Sequence, residues 1–519
     1  MDKESFPYAR ATAQVIRNSV IKSSLYVWLI AALAGLLHLA VAGRYDIFRN
    51  ELYFIVCGRH PAFGYADQPP LVPLIAAATQ LFGDNVWLLR LPGALAAIAL
   101  VLLAAAFARL LGGGVASSVL AAVAAAIAPA LIALTEILTT STFETIAWTA
   151  CAYFVARATI REDRKALLWA GLVAGLSMEA KYGIAIWLAA LLTGLLLTPA
   201  RRLLRWRSCW AGIALCCAIA APSLIWQAIQ GWPFIAVMLH HNATGSNYTG
   251  TPVRFEVGQI FAMNIALAPL WMTGVIAPFT TERLKAVRFL SIAFILATII
   301  NVAAGGKDYY LFPVYPTMFA VGAAAFTGIR TLWLGAWLIP ATALSALLAP
   351  IVLPILDPPE LAGYLAKTHL RPPPDEAAAV GAPLTQVFSD ELGWRLLERD
   401  VANVYRSLGA EERQRAAILA TNYGEAAALD VYGKGDGLPP ALSGQNQYFL
   451  WGPRGYDGSI IIHVNGNPDR WRRLCRSVDV VATFGAPYVM PYENERPIFI
   501  CRGLRIPLPL LWDRLKRYQ

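Results

Sequence analysis

Over the first 350 or so positions apolar residues do not alternate with polar ones; they run. Stretches of Ala, Leu, Ile and Val are separated by short polar loops. The runs are too long for strands and too uniform for the single apolar face of a surface helix. A helix that crosses a bilayer needs about 20 mostly apolar residues. On that measure the predicted spans are 24–43, 87–110, 115–131, 141–158, 166–180, 183–198, 209–229, 258–281, 288–304, 311–329 and 333–355, about eleven in all. Residues 69–82 are shorter and Pro-rich, and read as a helix lying at the interface. Near Asp357 the pattern changes. Pro358-Pro359 and Pro372-Pro373-Pro374 are followed by strand patterns at 416–423, 459–465, 478–484 and 497–503, with helical patterns at 391–408 and 467–474. Such alternation predicts a small soluble α/β domain. The expected division is a transmembrane domain over 1–356, with its first outer loop at 44–86, and an α/β domain over 357–519.

Composition supports a polytopic α-helical membrane protein. The chain is 57% hydrophobic and only 15% charged, against about 45–50% apolar and about 25% charged in soluble domains. Disordered, collagenous and disulfide-scaffold classes are excluded with the soluble one. The net charge of +10 changes the picture through its placement. With the N-terminus in the cytoplasm, 17 Lys and Arg, from Lys3 to Arg330, fall in inner loops and 7 in outer ones. That is a positive-inside bias, and an odd number of spans then puts the C-terminal domain outside. No small-residue cleavage site follows the first apolar run, so that run reads as an uncleaved anchor. No basic stretch interleaved with aromatics is present, and nucleic acid is not an expected partner; the bilayer is. Among the cysteines, Cys475 and Cys501 stand alone in the polar C-terminal part. They could form a disulfide if that part faces an oxidising compartment, or remain two buried thiols. The other five lack metal-ligand spacing.

The acids of the apolar half cluster on one side. Asp46, Glu51, Asp67, Asp84, Glu136, Glu144, Glu179, Glu256 and Asp308 fall in outer loops or at the outer ends of spans. Charges near the bilayer are tolerated where they line a cavity or its edge, so the outer face reads as the working face. The first loop, 44–68, is the richest in acids, Arg, His and aromatics.

That loop with GYADQPPL (64–71), LFGD (81–84) and RLPGAL (90–95) resembles glycosyltransferase family 39, the dolichyl-phosphate-mannose protein mannosyltransferases and their bacterial aminoarabinose transferase relatives. TTSTFETIAW (139–148), MEAKYG (178–183), PSLIWQAIQGWPF (222–234) and GGKDYYLFPVYP (305–316) fit in order and spacing. The resemblance covers roughly residues 25–330. NYGEAAALDVYG (422–433), SGQNQYFLWGPRG (443–455) and MPYENERPIFICRGL (490–504) resemble the C-terminal part of a bacterial branch.

The resemblance implies a GT-C fold. It also implies transfer, with inversion, of a hexosyl or pentosyl group from a polyprenyl-phosphate sugar at the outer face of a bacterial inner membrane. The acceptor, a protein, a lipid or a glycan, is not fixed. Such chemistry needs a carboxylate to take the acceptor proton, cations for the leaving phosphate and an apolar groove for the isoprenoid. The family shows an Asp-Glu pair at the start of the first loop, with the Asp as base; here Asn50-Glu51 stands there. An amide does not accept a proton near neutral pH. The base is then Glu51, or Asp67, or absent. The resemblance points to Lys307 in GGKDYY for the phosphate, with Tyr310, Lys181 and Arg254 as further candidates. Tyr65, Gln68 and Tyr309 are candidates for the substrate groove. Aminoarabinose transferases carry a lysine where Gln68 stands, which removes one expected phosphate contact. No cofactor is fixed by the sequence, and a divalent metal is left open. Two other functions remain in view: a family member that binds lipid-linked sugar with little or no catalysis, and a lipid or solute transporter. The transporter would carry inverted repeats and mid-membrane acids, and neither is visible.

Overall fold

Helices dominate the computed structural model, which describes residues 6–244, 251–326, 328, 331–374 and 376–518. Lys3 and Arg330 lie outside the described residues. Among the described residues five helices are long and apolar enough to cross a membrane: Ser24–Val41, Val86–Leu110, Arg207–Ile229, Glu282–Ala303 and Leu332–Val352. Three bent pairs raise the number to eight if each pair is one span. The difference from about eleven has local causes. The 115–131 run breaks at Pro129, where Val115–Ile127 and Pro129–Glu136 meet at 59°. Ile184–Leu196 turns by 109° into Pro199–Arg205. A proline lacks the N–H that would continue a helix but suits its first turn. Among the described residues of 311–329 only Tyr315–Ala325 is α-helical, after the short 3-10 turn Phe312–Val314, which contains Pro313. The runs at 141–158 and 166–180 form Glu144–Arg161, which carries three charges, and the short Ala166–Ala180.

The chain divides into two compact units. The first comprises 1–42, 90–220 and 250–353. Its core is built from Ala, Leu and Phe around the stacked pair Trp148 and Trp187, whose ring centres are 5.8 Å apart. Helices Ala268–Thr280 and Tyr315–Ala325 approach so closely that a Cβ on Gly274 would lie 2.1 Å from the Met318 carbonyl oxygen. Between apolar helices such small residues let dispersion contacts form along the backbone.

The second unit comprises 43–89, 221–249 and 354–519. It holds a five-stranded sheet of β1 (Ala416–Ala420), β2 (Leu442–Ser443), β3 (Ile460–Val464), β4 (Cys475–Phe484) and β5 (Arg496–Leu504), in the order β2-β1-β3-β5-β4. β2, β1 and β3 run parallel, and β5 is antiparallel to both β3 and β4. Every residue of β1 and β3 is buried, which is why both read as continuous apolar runs. The unit also contains the first-loop helix Arg49–Arg59, which packs against Leu71–Thr79 and Tyr423–Tyr432.

A disulfide joins Cys475 on β4 to Cys501 on β5, with Cα atoms 5.8 Å apart. The double variant Cys475→Ser/Cys501→Ser is expected to lose about 2–4 kcal/mol, because the crosslink restricts the unfolded chain. A thermal melt of the reconstituted protein with and without reductant checks this. An unchanged Tm in both would show that the crosslink carries no stability.

Candidate functional site

In the second unit the first loop places three candidate acidic or amide side chains differently. Glu51 is fully buried, and its Oε2 accepts the Phe48 N–H at 3.0 Å. The carboxylate thus reaches back three residues and satisfies a free donor at the start of its own helix. Glu51→Ala is expected to cost about 0.5–2 kcal/mol, as lost caps do, and to lower Tm. Glu51→Gln keeps an acceptor and should be milder; equal melting of wild type and both variants would remove the capping role. Asn50 Oδ1 accepts the Tyr423 hydroxyl at 2.8 Å.

Asp67 is held at both oxygens. The Tyr53 hydroxyl donates to Oδ1 at 2.8 Å and the Asn446 amide donates to Oδ2 at 3.0 Å. It is only partly buried by exposed area. Burial pushes its carboxyl up to about 6, against the pull of the two side-chain hydrogen bonds. Such a group is ionised near neutral pH yet basic enough to accept a proton. Tyr65 and Gln68 are both buried. The Tyr65 hydroxyl donates to the Cys57 carbonyl at 2.8 Å, and its own carbonyl accepts from Gln227 Nε2 at 2.8 Å. Gln68 Nε2 lies 4.0 Å from Cys57 Sγ. These contacts tie the loop to itself and to Gln227.

One cluster escaped sequence reasoning. Arg49 is buried beside Asp390 at 3.7 Å and Glu376 at 3.6 Å, donates to the Tyr492 hydroxyl, and lies 5.4 Å from the Tyr423 ring centre. Burial raises the Asp390 carboxyl to about 6, while Arg49 pulls it down. Its partners stand more than 300 positions along the chain and carry no local pattern, so the sequence offered only an Arg beside Asn50.

The first unit gathers the cationic candidates. Lys181 follows the helix Ala166–Ala180; its Nζ lies 2.8 Å from Glu144 Oε2 and donates to Ser141 Oγ at 2.9 Å. The same ammonium is 5.1 Å and 4.9 Å from the ring centres of Tyr309 and Tyr310. Lys307 Nζ is 6.0 Å from the Tyr309 ring centre. Lys181, Lys307, Tyr309 and Tyr310 therefore form one group. Burial raises the neighbouring Asp308 carboxyl, and the Arg254 charge lowers it. Two ammonium groups beside two phenols suit a phosphate. Ser141 and Glu144, the partners of Lys181, lie in the TTSTFETIAW motif; Glu144 was legible only as one of the outer-face acids, and Ser141 not at all. Among the described residues no three His, Cys, Asp or Glu side chains are arranged to hold a metal ion, so no residues are assigned to one.

The protein is mostly helical, with helices long and apolar enough to cross a membrane and a fold of the GT-C kind, a held carboxylate in one unit and a lysine–tyrosine group in the other. Residues 67–226 match the family described as dolichyl-phosphate-mannose-protein mannosyltransferase, the family whose resemblance the motifs carry. The fold is similar to ArnT from Cupriavidus metallidurans bound to undecaprenyl phosphate, with a TM-score of 0.61 at 14% identity over 91% of this chain and 97% of that one. The apo state of the same protein gives 0.63 at 15% identity, over 92% and 98%. The arabinofuranosyltransferase AftD from Mycobacteria gives 0.51 at 16% identity, over 93% of this chain and 42% of that one. A comparison with curated protein sequences finds no match.

Proposed function

We propose that the protein is a membrane glycosyltransferase that moves a hexosyl or pentosyl group from a polyprenyl-phosphate sugar to an acceptor hydroxyl, with inversion, at the outer face of a bacterial inner membrane. One observation carries this reading: the segment that matches the family, 67–226, begins at Asp67, a carboxylate held at both oxygens by hydrogen bonds. In the reaction Asp67 takes the acceptor proton. The acceptor oxygen attacks the anomeric carbon from the face opposite the phosphate. The carbon–oxygen bond to phosphate breaks, and polyprenyl phosphate leaves with the electron pair. Lys181 and Lys307, beside Tyr309 and Tyr310 within the first unit, have the chemistry to bind a phosphate, with Arg254 a further cation of that unit. On this reading the C-terminal α/β domain at 357–519 lies outside, which the positive-inside bias and the disulfide support. About eleven crossings give that orientation, with the shorter helices counted as spans.

The test is a lipid-reconstituted assay with a panel of undecaprenyl-phosphate sugars and a membrane acceptor extract, followed by mass spectrometry. Acceptor-dependent release of undecaprenyl phosphate with one donor supports the transferase and identifies the sugar. Asn50, an amide where the family has a carboxylate, favours a second reading, a protein that binds lipid-linked sugar without turning it over. Binding across the panel with no turnover would select it, and no binding at all would favour a transporter.

A further inference from the structure

The motif SGQNQYFLWGPRG contains a turn that grips the Asp67 loop. Asn446, the first residue of the helix Asn446–Trp451, has φ +48°. A left-handed backbone there suits Gly, Asn and Asp, and strains most other residues. Its side-chain amide donates to Asp67 Oδ2 at 3.0 Å. The next residue binds the same loop twice: Gln447 Oε1 accepts the Ala66 N–H at 3.0 Å, and the Gln447 N–H donates to the Tyr53 hydroxyl at 3.1 Å. Tyr53 in turn donates to Asp67 Oδ1 at 2.8 Å. The ring is closed: Asp67, Tyr53, Gln447 and Ala66, with Asn446 on the second carboxylate oxygen. A hydroxyl that accepts one hydrogen bond donates the next more strongly. All of these groups lie within one compact unit.

We propose that Asn446 and Tyr53 are positioning residues for glycosyl transfer, fixing the Asp67 carboxylate through both oxygens while the Gln447 turn fixes the loop that carries it. This rests on Asp67 being the base. A base must sit within hydrogen-bond reach of the acceptor hydroxyl in a narrow range of orientations. An aspartate on a loop has two free torsions, and two donors on its two oxygens remove them. The amide and the phenol also favour the ionised carboxylate, so their loss raises its proton affinity. The other titratable groups facing Asp67 are Cys57, Tyr423 and Tyr518, and all three are pushed up by burial. Tyr53 itself is pushed up likewise. None of these gains charge as the pH falls, so a shift in the acid range reports Asp67.

The left-handed backbone makes Asn446→Gly the informative variant. Glycine adopts that conformation without strain, so the change deletes the amide and spares the turn. Tyr53→Phe deletes the other donor. The full chain in lipid would be titrated by difference infrared spectroscopy, with the Asp67 band assigned by its loss in Asp67→Asn. The expected result is a rise of about one pKa unit in each variant, a tenfold gain in proton affinity. The acid limb of the transfer rate should move by the same amount, with kcat down about 10–100-fold near that limb and KM for the undecaprenyl-phosphate sugar unchanged. An unmoved Asp67 titration in both variants overturns the positioning role, whatever the activity. Full turnover in Asp67→Asn overturns the base assignment instead, and with it any role of Asn446 in transfer. If Asn446→Gly fails to fold, Tyr53→Phe decides alone.

Discussion

Asp67→Asn is expected to abolish all but about 10⁻² to 10⁻⁴ of the transfer rate, the range that a positioned general base contributes, while undecaprenyl phosphate still binds. Asn fills the same volume and can still accept the Tyr53 hydroxyl, whose donation to Oδ1 spans 2.8 Å, and its new amide nitrogen can donate to Asn446 once that amide turns its oxygen inward, so the loop should keep its shape. The pH dependence carries the same information in the wild type. Burial places the Asp67 carboxyl at about 6 rather than near 3.8. The transfer rate should therefore be half-maximal near pH 6 and fall about tenfold per unit below it, because only the ionised form takes a proton. Stability runs the other way. A carboxyl whose folded pKa is raised favours the folded state below its unfolded pKa, and that contribution is lost as pH rises through about 6. Asp390, also raised to about 6, adds to the same trend. Activity should thus rise through pH 6 while stability declines. A rate that stays flat down to pH 4.5, or an Asp67→Asn variant with wild-type turnover, would sink Asp67 as the base.

Glu51 and Asp67 could not be separated in the sequence because both are acids of one loop, 16 positions apart. The structure distinguishes them by what their oxygens do. Glu51 Oε2 binds the backbone at the start of its own helix, three residues back. Asp67 meets donors 14 and 379 positions away. The first of these is a buried tyrosine of the adjacent helix, and the second sits in a motif for which the sequence supplied no role. Long-range hydrogen bonds leave no periodic trace. The apolar runs were legible because burial in lipid acts on every residue of a helix. Their number was harder to read, since a proline such as Pro129 breaks a run without making it less apolar. The strands at 416–420 and 460–464 were visible for the same reason as the spans: each is buried throughout.

Lys181→Met should weaken binding of undecaprenyl phosphate and destabilise the fold, and the two effects can be separated. Lys181 is paired at 2.8 Å with Glu144, whose side chain is only 2% exposed. Removing one partner of a buried pair costs roughly 3–5 kcal/mol, because the other charge is left without compensation. Tm should fall by several degrees. The double variant Lys181→Met/Glu144→Gln removes both charges and should recover most of that loss. It cannot recover a phosphate contact. A charge-assisted hydrogen bond contributes about 1.5–3 kcal/mol, so Kd for undecaprenyl phosphate should rise about 10–100-fold in both variants. Glu144→Gln alone leaves the ammonium beside Tyr309 and Tyr310 with less neutralisation, and should bind the phosphate no more weakly than wild type. Binding by fluorescence or calorimetry, read beside the melting curves, decides the matter. If the double variant melts like wild type and also binds like wild type, the Lys181–Glu144 pair is structural and the phosphate is held elsewhere. If it melts like wild type but binds poorly, the Lys181 ammonium holds the phosphate in addition to its contacts with Glu144 and Ser141.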